Sequence, residues 1–551
     1  GSTGNITKSN SGVLTLSGTN TYGRMNLSSG ELRAASSSAL GTGTTTLGSG
    51  STLRLEDGVS LSNVMTLASG SETLRVIAGT GTLSGNISGS GAAVTKTGGG
   101  RLALSGTSSY TGGTTVSEGT LALVGSGQLL STGALAVNGS STFDIADLSV
   151  DSTTVGPLSS ESSSTIRLGS NRLIFGDGTD TEIAGTVEGT GSLEKVSSGT
   201  VRLSGSNVFG GLIVNEGQII AASDTALGLG GVVMADETVL SFTDGVAVDN
   251  AFVLLGSTVL NTSSDGSASA SGVIAGIGGI EKTGSSTLSF LGASTFTGGL
   301  ILREGTLSIT GVGSLAESGA VALEEGTTLD ISGQTAGGLT IGKLTAAVNS
   351  TINLGSKTLT FGSGDDVTVN GAFAGSSGSL VKRGIGTVRM PIANELGGSV
   401  DVAEGTVFVS NDSSFGSAEV LLRNNATIGL DQEVTIPNNL SLVSGQGNIA
   451  VPILARLSGA VSGSGGLNKV GDGTLILSGP VTYTGQTTIS AGNLRIDTDL
   501  VSSVVVGSRG KLSGIGTITG NITSEGAVAP GASPGTITVV GNVRTRNACL
   551  L

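Results

Sequence analysis

The sequence predicts an all-β chain wound as a parallel β-solenoid of about 25 coils. Three features carry that reading: short runs of alternating apolar residues, punctuation by glycine, and internal duplication. The 551 residues include 96 Gly and only 7 Pro, and hydrophobic residues make up 37%. Glycine and serine this abundant can mean a flexible chain, but here Leu, Val and Ile recur at every second residue in short runs. Runs of that kind, stopped by Gly, Asn, Asp or Ser, read as strand, turn, strand with almost no helical period. A mean hydropathy of +0.30 supplies the apolar surface a buried core needs.

The duplication emerges from offsets. The line VTKTGGGRLALSG (94–106) returns as ITKSNSGVLTLSG (6–18), LEKVSSGTVRLSG (193–205), IEKTGSSTLSFLG (280–292), LVKRGIGTVRMPI (380–392) and LNKVGDGTLILSG (467–479). Its lysines, Lys8, Lys96, Lys195, Lys282, Lys382 and Lys469, are spaced by 88, 99, 87, 100 and 87 residues. Short and long units alternate, so the true repeat is about 187 residues, as tandem units do. TIRLGSNRLIFGDG (165–178) confirms it, returning 186 residues later as TINLGSKTLTFGSG (351–364). Strands so short cannot each bury a face alone. Stacked coils give every strand a parallel neighbour and share one apolar interior. Glycine serves the corners, several of which need φ > 0. The expected organisation is a single continuous solenoid over residues 1–551, with a distinct C-terminal segment at 505–551.

Charge and composition exclude several roles. A net charge of −14 opposes nucleic-acid binding and docking on an anionic membrane, both of which need clustered Lys and Arg. The one cysteine, Cys549, allows no internal disulfide, and the absence of His removes the commonest general base and metal ligand. GSTGNITK opens the chain without an apolar core segment, and no run of ~18 apolar residues or set of lipid-facing strands follows. The expectation is a mature segment or a fragment of a longer chain.

The repeated pattern K-T-G-x-G-x-L-x-L-S-G-x-x-x-Y-x-G-x-T-x-V-x-x-G-x-L resembles the autotransporter-associated β-strand repeat of bacterial type V secreted passenger domains. Residues 94–123 and 467–496 match it best; at 380–409 Met390 and Pro391 break the usual Leu-Ser-Gly. GKLSGIGTITGNITSEGAVAPGASPGTITVVGN (510–542) is similar to the A-P-G-x-S-P-G-T segment of many passengers. The resemblance implies a right-handed β-helix, threaded through an outer-membrane pore and displayed outside a Gram-negative cell. A C-terminal translocator barrel would be its partner in the full-length chain. The tail RTRNACLL (544–551) departs from the family pattern.

Three residue groups are candidates for chemistry. The first is a slot holding Tyr22, Tyr110, Phe209, Phe296, Leu396 and Tyr483, which include all three tyrosines of the chain. A sugar-stacking ladder would need the rings exposed; substitution by Phe and Leu favours a packing element instead. The lysine slot reads as a guard on exposed strand positions rather than a ladder of anion sites. Asp177, Asp180 and Glu182 in GDGTDTE (176–182) could serve a hard cation, but the duplicate GSGDDVT (362–368) keeps only Asp366 opposite Asp180, so a Gly/Asp turn is favoured. Without His no Ser-His-Asp triad forms. No residue is therefore assigned a catalytic, cofactor-binding or metal-ligating role, and no cofactor is expected. The functional expectation is a non-enzymatic adhesin, binding a host surface protein or glycan through stacked Ser, Thr and Asn. A self-associating spacer of biofilm or filament is the alternative, and a polysaccharide-degrading enzyme the third reading.

Overall fold

The computed structural model describes residues 4–263, 266–531 and 535–546. These divide into two compact units, one reaching Gly278 and the other starting at Gly279. Each unit is a parallel β-solenoid, and no helix occurs among the described residues.

One coil of the first unit shows the plan. Met65–Leu67, Gly70–Val76 and Thr80–Leu83 form its three sides. The next coil repeats them as Ile87–Ser88, Ala92–Thr97 and Arg101–Leu104. The register places Ile87 beside Met65, Val94 beside Glu72 and Arg101 beside Thr80. Period-2 alternation then dictates the core: along Thr52–Leu55, Leu53 and Leu55 are buried while Thr52 and Arg54 face out. The second unit follows the same rule, with Leu288 and Phe290 inside on Thr287–Phe290.

The chain makes about 27 turns where about 25 are expected, because coils are shorter than ~22 residues. Asn5 pairs with Arg24 and Arg101 with Thr120, whereas Thr142 pairs with Thr165. Steps of 19 residues thus occur beside longer ones.

Asp and Asn stitch coil to coil at the corners. The Asp57 carboxylate accepts from the amide of Thr80 at 2.8 Å, Asp236 from Ser257 at 2.7 Å, and Asn424 from Gln446 at 3.1 Å. Each closes a backbone amide that a turn would otherwise leave to water. Much of the acidic surplus is used in this way.

The APGASPGT segment begins in the strand Ala527–Pro530, which pairs with Lys511–Gly514. Thr538–Val540 pairs with Thr517–Thr519 and Val543–Thr545 with Ile522–Ser524. Residues 532–534 of the motif and 547–551 of the tail, Cys549 among them, lie outside the described residues.

Candidate binding surface

The aromatic slot points inward. Tyr110, Phe209, Phe296, Leu396 and Tyr483 are at most 3% exposed, and Tyr22 is 9% exposed. Tyr110 Oη lies 2.7 Å from Thr114 Oγ1, and Tyr483 Oη 2.6 Å from Thr487 Oγ1. Burial pushes the Tyr110 phenol up to about 12. No ring face is offered to a sugar.

The lysine slot corrects the sequence reading. Lys96, Lys195, Lys282, Lys382 and Lys469 are at most 2% exposed, not guards on the surface. Each ammonium is caged by main-chain carbonyls. Lys282 Nζ donates to Thr283 at 2.9 Å, Gly284 at 2.6 Å and Glu304 of the following coil at 3.1 Å. Lys382 repeats this with Arg383, Gly384 and Glu404 at 2.9, 2.6 and 3.1 Å. The residue two places after the lysine turns its carbonyl inward through a positive φ: +78° at Gly98, +80° at Gly284, +72° at Gly384, +81° at Gly471, and +74° at Ser197. The glutamate that lends its carbonyl also closes the turn, Glu118 Oε2 accepting from the Gly98 amide at 2.7 Å. Burial lowers Lys96, Lys195, Lys282 and Lys469 to about 8, which leaves them charged at neutral pH. A compact –NH₃⁺ with three donors fits three converging carbonyls. The lysine is a fastener, and it is out of reach of an anion.

The acidic group is not brought together as a cage. Asp177 accepts from the amide and hydroxyl of Thr179 at 3.0 and 2.7 Å. Asp180 accepts from the Thr200 amide at 2.7 Å, and Glu182 from Ser204 Oγ at 2.7 Å. Asp366 copies Asp180, accepting from the Thr387 amide at 2.7 Å.

What the surface does offer is a polar groove, formed twice. In the first unit Thr19, Thr21, Ser38, Thr42, Thr44 and Ser62 line an open groove of about 600 Å³. In the second unit Ser376, Glu395, Ser413 and Ser417 line the equivalent groove, of about 420 Å³. Asparagines shape both. Asn20 Nδ2 donates to Ala39 O at 2.8 Å, and Asn394 Nδ2 to Ser414 O at 2.7 Å. Asn63, Asn250 and Asn438 clamp the same turn from the following coil, at 2.8, 2.7 and 2.8 Å. The sequence reading missed these clamps. Their signal is an Asn two residues before the aromatic slot, at Asn20, Asn207 and Asn394.

The family model described as the passenger-associated-transport-repeat matches residues 6–34, 94–123, 193–220, 280–309 and 467–496. The chain is an autotransporter passenger segment. Its 380–409 line falls outside those matches, yet Lys382 keeps the cage and Leu396 the buried slot. This passenger segment is 30% identical over 239 residues to the adhesin BmaC autotransporter of Brucella suis biovar 1 (strain 1330), covering 39% of the segment and 7% of that protein. It is 44% identical over 84 residues to an extracellular serine protease of Serratia marcescens, covering 15% of the segment and 8% of the protease. It is also 36% identical over 104 residues to the uncharacterized protein YuaQ of Escherichia coli (strain K12), covering 17% and 8%. The matched stretch thus spans less than a tenth of the length of these relatives. No solved structure matches it. As an autotransporter passenger it is exported across the outer membrane, to the cell surface or the medium.

Proposed function

We propose that this passenger segment is a non-enzymatic attachment module. It holds a host surface protein or glycan in hydroxyl-lined grooves along its coils. The observation that carries the reading is the division of labour within the repeat. The recurring lysine and aromatic slots are buried and spent on the fold, whereas in the groove Thr19, Thr21 and Thr42 are exposed and Ser38 is half-exposed. Stacked hydroxyls suit many weak hydrogen bonds along an extended ligand. The similarity to an adhesin supports the same reading. Self-association as a spacer is disfavoured by like charge, since two copies at −14 repel. A translocator barrel in the full-length chain is the remaining partner.

The test is attachment by the purified segment coated on beads. Saturable binding to host cells or matrix is expected, reduced in a Ser38→Val/Thr42→Val variant. Binding no greater than that of an unrelated β-solenoid would overturn the reading. Release of reducing or unsaturated ends from polysaccharides would favour an enzyme instead.

A further inference from the structure

One outward face of the first unit breaks the chain's own pattern. On Gly231–Met234, Phe252–Leu254 and Ile274–Gly276 the register aligns Val233, Val253 and Ala275 in a column on the outer side. Leu255 and Ile277 follow at the next outward position. Val253, Leu255, Val273 and Ile277 are 41, 55, 45 and 78% exposed. The corresponding columns of the other two copies read Thr46–Thr66–Ser88 and Leu421–Ser441–Ser462. Where Ile277 stands, those copies have Ser90 and Ser464. A stacked outer position is therefore well served by Ser or Thr, and the middle copy replaces them with side chains that water disfavours.

The charge around this face is equally particular. Residues 203–280 contain no Lys or Arg but seven carboxylates: Glu216, Asp224, Asp236, Glu237, Asp244, Asp249 and Asp265. That is −7 of the chain's −14. Asp236 and Glu237 lie exposed just past one end of Gly231–Met234, Glu216 just past the same end of the neighbouring strand Val208–Val214, and Asp249 just before Phe252–Leu254.

We infer that this face docks a cationic amphipathic segment of a partner protein, with an apolar stripe seated on Val253, Leu255 and Ile277 and basic residues meeting the acidic rim. An apolar centre inside a rim of one charge selects a partner of the opposite charge. A second copy of the chain would bring carboxylate against carboxylate, and an anionic lipid surface or a nucleic acid would find no cation. The inference rests on this face alone and holds whether or not the polar grooves attach cells.

The test uses the full 551-residue chain and a fluorescent amphipathic helix of about 18 Leu and Lys residues as the probe, read by anisotropy. Saturable one-to-one binding is expected, weakened in ~0.5 M salt. The triple variant Val253→Thr/Leu255→Thr/Ile277→Thr should lower affinity about tenfold or more. Thr46 and Thr66 already occupy the same outward column, so the variant is expected to keep the fold, checked by its melting curve. In wild type, bound probe should slow hydrogen exchange in residues 231–236, 251–257 and 273–278. Four results overturn the proposal: equal binding by the triple variant, equal binding of a probe with Glu for Lys, protection confined to other coils, or dimerisation of the free chain that the triple variant abolishes. Failed cell attachment alongside intact probe binding would count against the groove reading and leave this one standing.

Discussion

Ser197 stands where four other copies of the lysine turn have glycine, and it carries φ +74°. A left-handed conformation costs a side-chain-bearing residue ~1 kcal/mol, so Ser197→Gly is expected to stabilise its coil by ~0.5–1 kcal/mol. Denaturant unfolding of the variant measures this, and a loss of stability would contradict the assignment. The opposite experiment is Lys282→Met. It keeps the length of the side chain and removes the three donors that tie the carbonyls of Thr283, Gly284 and Glu304 together across two coils. A local loss of ~2–4 kcal/mol is expected, read as faster hydrogen exchange across Thr306–Ile309. Glu72 is a third case, fully buried with no hydrogen-bond partner on either carboxylate oxygen. Burial raises its acid to about 7 from the usual 4.5. Between these values the folded state holds a proton that the unfolded state has released. Its stabilising share is therefore whole below about pH 4.5 and lost as pH rises through about 7. Glu72→Gln should match wild type at low pH and exceed it above pH 7; parallel curves would refute this.

The offsets located both slots but could not orient them equally well. The aromatic slot was legible as core because Phe209 and Leu396 share it with tyrosine, and only packing treats those residues alike. The lysine slot was equally regular and misleading, since a charged residue on an alternating strand usually faces water. Only the backbone of the turn reveals three carbonyls converging on Nζ. The apolar outer face was hidden for the opposite reason: FVLL reads as a wholly buried strand until the register shows which side is bare.

At the level of the element, the corner that closes each lysine cage depends on a second glycine. Gly305 has φ +67°, and a Cβ there would lie 2.6 Å from the carbonyl oxygens of Gly284 and Ser285. Gly119, Gly405 and Gly492 repeat that geometry at +64°, +68° and +70°. Gly305→Ala is expected to destabilise by ~2 kcal/mol or more, because backbone strain and a clash with main chain act together. A melting temperature equal to wild type would refute the constraint. The Asp corners behave differently. Asp366→Ala should speed exchange at the Thr387 amide, and by the same factor with calcium or with EDTA. A calcium-dependent difference would restore the cation reading.

Over the whole molecule, nearly all long-range structure is a contact between one coil and the next, about 20 residues away in sequence. Stability is then approximately a sum of neighbouring interfaces, and unfolding need not be all-or-none. Residues 1–278 expressed alone are expected to give a β-type circular dichroism spectrum and a cooperative melt. A disordered product would contradict the division at Gly278–Gly279. Large-scale order was readable because duplication writes the period directly into the sequence. The grooves were not, because they depend on which Ser and Thr the corners leave outside.

Seven of the nine lysines of the chain fall into two populations with a chemical consequence. Lys96, Lys195, Lys282, Lys382 and Lys469 are sealed, whereas Lys511 is exposed and Lys343 is half-exposed beside Asp365. An amine-reactive reagent would tag the second set at once and the first only when its own coil opens. The repeat thus carries built-in clocks about 90 residues apart. Their labelling order would time, coil by coil, how an exported chain winds itself up after emerging from its pore.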